Sequence, residues 1–513
     1  MGFINFFKKK KEEGETKDRH YLTGKEVRKI AKENTAVMRR LEKNKRRKAA
    51  ESEFLAEMRD EKNILEIDEL NSYFFTEQGI VKAVNGVSFD VPLGKVVGVV
   101  GESGCGKSVT SMSVMRLLQG PQGQIYSGSI RFRSFDFKRD EKGNPIPIYE
   151  YDKDGNVIME EAVKEDNWIQ TAAKTVAGKT VELVNKIKTK VKKKNKAEDV
   201  AEESVENSEV KDAVEAEAAE EVKEEAAEGE KKKKSPVMVP RIKRDEYGTR
   251  MYEMEEKTFD IAKMPMREMY RLRGRQIAMI FQEPMTSLNP VFTIGNQLDE
   301  VTLLHVPDAT KTEAKERSLE MLRLVGMAMP ERVYKSYPHE LSGGMRQRVM
   351  IAMALAGNPR LIIADEPTTA LDVTIQAQIL DLLRSLKDRI NGSVLLITHD
   401  LGVIAEMADY VVVMYAGRII EQGTASEIFH HPMHPYTIGL QKSKPTMDTK
   451  SDRLFNIPGN VPNPVDMPDF CYFRERCRSS CEKCAGKYPE MIQVSPTHKV
   501  ACHLYAEEKS DEQ

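Results

Sequence analysis

The stretch VVGVVGESGCGKSVTSMSVM, residues 96–115, decides the fold. Its opening run, Val96, Val97, Val99 and Val100 around one glycine, is the pattern of a strand buried on both faces. A glycine-rich turn follows and then a helical run. The turn fits G-x-x-x-x-G-K-[ST], with Gly101, Gly106, Lys107 and Ser108 at the fixed positions and Ser103, Gly104 and Cys105 between them. Glycines let backbone N–H groups close around phosphate oxygens, and the helix beyond adds the positive end of its dipole. Lys107 is placed to neutralise β- and γ-phosphates, and Ser108 to ligate Mg²⁺. Strand, loop and helix in this order predict an α/β fold with a nucleotide site, in which Cys105 is a passenger in the phosphate-binding loop.

Two further stretches belong with it. In LIIADE, residues 361–366, an apolar strand ends in Asp365 and Glu366. Alone, such a pair is an ordinary solvated strand end. Beside a phosphate loop, Asp365 is expected to hold Mg²⁺ through water and Glu366 to polarise the water that attacks the γ-phosphate. In LSGGMRQR, residues 341–348, Ser342, Gly343 and Gly344 precede a helical run with Val349, Ala352, Met353 and Leu355. That is a second helix start suited to phosphate, in a chain with a single lysine loop. The economical reading is that LSGG completes a nucleotide site on another subunit, with ATP sandwiched at a dimer interface; a structural turn is the alternative.

Taken together these residues resemble the ATP-binding cassette (ABC) family: GESGCGKS as Walker A, Gln282 of IFQEPMTSLNP as the Q-loop, LSGGM as the signature, LIIADEPTTALD as Walker B with Asp372 in the D-loop, and His399 of LLITHD as the switch histidine. The resemblance implies a RecA-like core with a helical subdomain, and Mg²⁺ ligation by Ser108, Gln282 and Asp365. It also implies catalysis by Glu366 with Gln282 and His399, and adenine stacking on Tyr73 or Phe74 of NSYFF. FQEPMTSLNP, ALDVTIQAQIL, HHPMHPYTIGL and IPGNVPNPVDMPDFCYFRERC narrow the likeness to oligopeptide/dipeptide and nickel importer ATPases. The expected partners are a homologous second ATPase or a second copy, two transmembrane permease subunits and, indirectly, an extracytoplasmic peptide-binding protein. Nickel import is the rival substrate reading, and a soluble non-transport ABC ATPase the rival class.

Working outward, the cassette is expected over 63–136 and 258–430, interrupted by a charged low-complexity insertion over 137–257. A helix could form over 170–192 and a small hairpin with a D-G turn at the insertion base. Residues 1–62 are a basic extension whose Val27, Ile30, Ala31, Val37, Met38 and Leu41 recur at helical spacing, fitting a membrane surface, a partner, or a solvated helix. Residues 431–513 form a small HPY- and Cys-rich unit. There Cys471, Cys477, Cys484 and Cys502 match the family spacing, and some relatives hold a [4Fe–4S] cluster; Zn²⁺, through Cys481-x-x-Cys484, or plain thiols are alternatives.

Composition closes off other classes. With 79 Lys and Arg against 81 Asp and Glu, no global field draws the 513-residue chain to nucleic acid. No apolar run reaches the roughly 18 to 20 residues that span a bilayer. MGFINFFKKKK places apolar residues before charges and reads as no secretory signal, so a peripheral subunit on the cytoplasmic face of the membrane is expected.

Overall fold

The structure is a computed structural model that describes residues 23–142, 144–161, 238–244, 250–369, 371–390, 392–443 and 455–506. The chain divides into two compact units, Met1–Pro147 with Arg244–Gln513, and Ile148–Lys243.

The larger unit is built on two sheets. β1 (Asn63–Thr76), β2 (Gly79–Pro92), β4 (Gly123–Phe137) and β7 (Met254–Asp260) form an antiparallel sheet in the order β2-β1-β4-β7. The second sheet has a parallel centre of β3 (Val96–Val100), β8 (Ile277–Ile280), β9 (Leu361–Asp365), β10 (Ser393–Thr398) and β11 (Tyr410–Tyr415), in the order β11-β3-β10-β9-β8. Every residue of β3, β9 and β10 is buried. Alternate side chains of these strands enter opposite cores. Val96, Val100, Ile362, Ala364, Val394 and Leu396 meet a helical layer, whereas Val97, Val99, Leu361, Ile363, Leu395 and Ile397 meet the antiparallel sheet. Coverage of both faces is why these strands read as continuous apolar runs instead of alternating ones.

The helical layer holds α3 (Ile294–His305), α4 (Lys311–Leu324), α5 (Pro330–Lys335) and α6 (Gly343–Ala356). Thr293 and Thr310 cap the first two, each hydroxyl accepting a third-residue N–H. The earlier helices are α1 (Gly24–Arg46) and α2 (Lys107–Val114); α7 (Val373–Ile390) and α8 (Leu401–Met407) follow the layer.

Two regions differ from expectation. α1 starts in a Thr23–Glu26 capping box and is docked on the antiparallel sheet: Asn34 Nδ2 donates to Thr76 O (2.7 Å), and Gln124 Nε2 to Glu42 Oε2 (3.2 Å). The C-terminal extension does not stand apart. β12 (Arg418–Thr424) extends the main sheet, and β14 (Lys499–Val500) and β13 (Ile492–Gln493) add to β12. Tyr436, Met467, Cys471, Tyr472 and Phe473 share the helical-side core. With few apolar residues of its own, the segment is ordered by burying them against the cassette.

In the smaller unit β5 (Met159–Glu161) pairs with β6 (Met238–Pro240), and Tyr151 bridges Val157 around the Asp154-Gly155 turn. Asp152 Oδ1 accepts from the N–H groups of Asp154 and Asn156 there. The expected helix over 170–192 and residues 1–22 of the basic extension lie outside the described residues.

Lys243 N donates to Ile148 O at 2.7 Å, so the two ends of the smaller unit are hydrogen-bonded neighbours. Replacing residues 149–242 by Asn-Gly, a two-residue hairpin turn, is therefore expected to leave the thermal midpoint of the larger unit within a few degrees of the parent. Calorimetry on the shortened chain checks this, and loss of the cooperative transition would show that the insertion supports the fold.

Candidate functional site

The carboxyl ends of β3, β9 and β10 converge because the strands are in register: Val100 opposes Thr398, and Ile397 opposes Asp365. Open α/β sheets bind ligands at these ends, where the chain leaves the ladder with unpaired N–H groups. Residues 101–106, Glu366 and His399 therefore emerge side by side.

The loop 101–106 leads into α2 through Gly106, whose φ is +100°. A Cβ there would lie 2.3 Å from Ala83 O, so the loop presses on β2 as only glycine allows. Lys107 is buried, and its Nζ donates to the carbonyl oxygens of Gly101 (2.7 Å) and Glu102 (3.1 Å). A phosphate seated in the loop competes with these carbonyls for the ammonium. Cys105 is buried beside Lys107, and burial raises its thiol pKa. Ser103 and Gly104 complete the loop.

Ser108 Oγ donates to Asp365 Oδ1 (3.0 Å), and Ser111 Oγ to Asp365 Oδ2 (3.4 Å). Burial raises the Asp365 pKa, with the Glu366 charge adding to it and the Ser108 hydroxyl opposing. This hydroxyl–carboxylate pair has the hard oxygen donors that suit Mg²⁺.

Glu366 occupies the left-handed region at φ +47°, held by its N–H donating to Ile397 O (2.8 Å). Its Oε2 accepts from Gln282 Nε2 and from Thr369 Oγ1, both at 2.9 Å, and its Oε1 lies 3.3 Å from His399 Nδ1. Gln282, Glu366 and His399, from three separate segments, thus meet at one carboxylate. A non-glycine residue in αL costs on the order of 1–3 kcal/mol and persists where its surroundings over-determine it.

Ser342 caps α6, its Oγ accepting from Met345 N (3.3 Å), and Gly344 lies against Ile375 at the start of α7. Asp372 Oδ1 accepts from Ile375 N (3.0 Å). Ser342 and Gly344 make their contacts with these helices, and a Cβ on Gly343 would meet open space. Tyr73 stacks on Tyr126 (centroids 5.1 Å, 22°), and Phe74 lies against Gly123. Both aromatics are engaged in packing of the antiparallel sheet.

Several residues of the site escape sequence reasoning. Glu102 is the main one: its backbone N–H donates to Tyr436 Oη (2.8 Å), and its carboxylate accepts from Arg476 Nη1 (2.6 Å) and Nη2 (2.9 Å). Arg476 is 7% exposed, with Nε on Pro458 O (2.9 Å). Its guanidinium stands over the cluster of Tyr415, Tyr436 and Phe473. The HPY segment is a wedge. The buried Glu421 carboxylate accepts the N–H groups of Met433 (2.7 Å) and His434 (2.9 Å) and pairs with His498 Nε2 (2.8 Å). His434 Nδ1 accepts from Tyr436 N (3.0 Å), and burial lowers its pKa to about 3, so its ring is neutral. Gln347 is also unforeseen; buried, it donates to Pro367 O (2.7 Å) and joins α6 to the turn after Glu366. The HPY spelling is the one sequence signal that could have pointed to Tyr436.

Cys471, Cys484 and Cys502 are buried, Cys477 is half-buried and Cys481 exposed. Burial raises Cys471 to about 12 and Cys502 to about 11, and the neighbouring thiols add to both shifts. Cys481 and Cys484 have their Sγ atoms 3.6 Å apart. The thiols converge, but among the described residues no three His, Cys, Asp or Glu side chains are arranged as a metal-ligand set, so the cysteines as they stand form no ligand shell.

The family model "ABC transporter" matches residues 84–235 and 248–369, and "Oligopeptide/dipeptide transporter, C-terminal region" matches 420–484. The Oligopeptide transport ATP-binding protein AppD of Bacillus subtilis is 35% identical over 449 residues, covering 88% of this chain and 99% of that protein. The Oligopeptide transport ATP-binding protein OppD of Salmonella typhimurium is 51% identical over 249 residues, covering 48% of this chain and 74% of its own length. A solved structure, the bacterial ABC transporter cassette MJ0796, aligns with a TM-score of 0.42 at 18% identity over 70% of this chain and 98% of that one.

The Glu102–Arg476 pair makes a prediction. Arg476→Ala frees the loop carboxylate and is expected to raise the KM for nucleotide about tenfold, a loss of about 1.4 kcal/mol, with a smaller effect on kcat. Arg476→Lys, which keeps the charge without the fork, should recover part of it. Steady-state kinetics read both constants, and an unchanged KM in Arg476→Ala would show that the brace does not set the loop.

Proposed function

Because the chain belongs to the ABC transporter family, in its oligopeptide/dipeptide transporter group, we propose that its strand-end site hydrolyses ATP to drive peptide uptake. The chain is the ATPase subunit of a peptide importer. The observation that carries the mechanism is the Glu366 carboxylate, fixed by Gln282 and Thr369 within 3.3 Å of His399. So held, Glu366 accepts a proton from the attacking water, while Gln282 orients that water and His399 contacts the γ-phosphate. Lys107 and the N–H groups of 101–106 bind the phosphates; Ser108, Asp365 and Gln282 would hold Mg²⁺, which would neutralise charge on the phosphate oxygens. Tyr73 or Phe74 stacks on adenine.

Ser342, Gly343, Gly344 and Asp372 complete the site of a facing subunit, either a second copy or a homologous ATPase. What supports this is that Ser342, Gly344 and Asp372 make their contacts within α6 and the start of α7. No helix among the described residues is long and apolar enough to cross a membrane. On this reading the subunit works at the cytoplasmic face, beneath two permease subunits that receive peptide from an extracytoplasmic binding protein. For Cys471, Cys477, Cys484 and Cys502 the reading is a structural [4Fe–4S] cluster, with Zn²⁺ as the alternative; their convergence supports it, and the thiols must draw together to ligate.

Glu366→Gln is expected to lower ATP turnover by about 10²- to 10⁴-fold while nucleotide binding is kept. Turnover of the complex with its permease subunits, set beside equilibrium ATP binding, tests this; near-normal turnover would remove Glu366 from its role. Anaerobically prepared protein is expected to carry iron and acid-labile sulfide in equal amounts, both lost on Cys471→Ser. Zinc without sulfide, or no metal, would overturn the cluster.

A further inference from the structure

A cavity of about 270 Å³ opens between α1 and the antiparallel sheet, and none of the site residues assigned above lines it. Its charged lining is Lys45 and Arg47 at the end of α1, Arg116 just beyond α2, and Lys263 after β7; no Asp or Glu lines it. Arg47 and Lys263 have counter-charges, Glu53 at 3.1 Å and Asp260 at 3.0 Å. The other two have acids nearby, Glu42 for Lys45 and Asp260 with Glu42 for Arg116, but none within ion-pair distance. Lys45 makes no side-chain hydrogen bond or ion pair among the described residues. Arg116 is 8% exposed and donates through Nη1 alone, to the carbonyl oxygens of Ile261 (2.7 Å) and Ala262 (2.8 Å).

Behind them, Arg273 spends its guanidinium on the carbonyls of Met115 and Arg116, both at 2.9 Å. Three cations thus adjoin with no carboxylate bonded to any of them. The nearby acids are committed: Glu42 to Arg46 (2.8 Å) and Gln124, Asp260 to Ser129 (3.1 Å), Ile130 N and Lys263. Burial, and then Arg273, lowers Arg116 to about 10 against the attraction of Asp260 and Glu42. Burial lowers Lys45 as well, with Arg116 and Arg273 adding to it against the attraction of Glu42. Burying cations together costs free energy unless an opposite charge is supplied.

We propose that this cavity binds a small phosphoryl-bearing anion, whose oxygens accept from Lys45 Nζ and the unused Arg116 donors. Guanidinium and ammonium together suit phosphate, and the volume, just below the range of drug-sized pockets, suits a compact ligand. Tyr126, half-exposed at the rim, offers a ring face for the ligand's remainder. Because Lys45 comes from α1 and Arg116 from the strand-loop-helix segment, the anion clamps the N-terminal helix to the cassette. The proposal does not rest on the ATPase reading.

The test uses the full chain with its nucleotide site filled by one equivalent of ADP, without divalent metal, titrated calorimetrically with pyrophosphate. One further saturable site is expected, weakened at least tenfold in Lys45→Gln and abolished in Lys45→Glu, while both variants keep the parent ATPase rate. No saturable uptake once ADP is bound, or equal uptake by Lys45→Glu, would overturn it. Flotation with phosphatidylglycerol vesicles separates the sources. Vesicle binding that pyrophosphate displaces and Lys45→Glu lacks assigns the phosphoryl group to a lipid headgroup; its absence, with pyrophosphate still bound, assigns it to a soluble molecule.

Discussion

The constraint on which the rest depends is the burial of β3, β9 and β10 on both faces. A strand so enclosed offers solvent neither face, so chemistry can only stand at its ends, where the backbone leaves the ladder. Parallel pairing then carries several ends to the same side. Register fixes the rest: with Ile397 opposite Asp365, the next residues along both chains are neighbours, and Glu366 N–H can close on Ile397 O. The Glu366 carboxylate is thus anchored to the strand that leads to His399, and the strain of its left-handed backbone is offset by those bonds.

The same sheet explains the C-terminal region. A segment rich in proline and poor in apolar side chains cannot close a core alone. It borrows one, sinking Tyr436 and Phe473 beside Tyr415, and in doing so it brings Arg476 against Glu102. The phosphate loop is therefore braced on two sides: by β2 under Gly106 and by the C-terminal region at Glu102. Rearrangement of the cysteine-bearing chain would be felt at the nucleotide without crossing the sheet, since Cys471 and Cys477 flank Arg476 in sequence.

What could be read from sequence was what short stretches encode. The β-branched run 96–100, the glycine spacing 101–106 and the acid pair after 361–364 each state their surroundings locally, because period and residue type report which faces are covered. Ser108 meeting Asp365 across 257 positions could be anticipated from motif order alone. The Glu102–Arg476 pair, 374 positions apart, could not: neither residue stands in a periodic pattern, and charge matching among so many Lys, Arg, Asp and Glu singles out no partner. The docking of α1 was hidden for a similar reason. Its apolar stripe is thin, and the contacts that fix it, Asn34 to Thr76 and Gln124 to Glu42, are single polar bonds. Nor does the separate reading of the C-terminal 80 or so residues survive, because composition reveals a deficit of apolar surface and not where that deficit is made up.

β12 would be the rim of the main sheet were it not for Lys499 and Val500, which lie along it and carry Ile492 and Gln493 outside them. A bare rim of this kind recruits strands from other molecules. During synthesis the ribosome delivers β12 roughly 75 residues before its cover, at about 5–20 residues per second, so the newborn chain passes several seconds with that rim unsealed. A message truncated just before codon 499 would leave it unsealed for good, yielding a product with every nucleotide motif in place and a standing tendency to stick to its own kind.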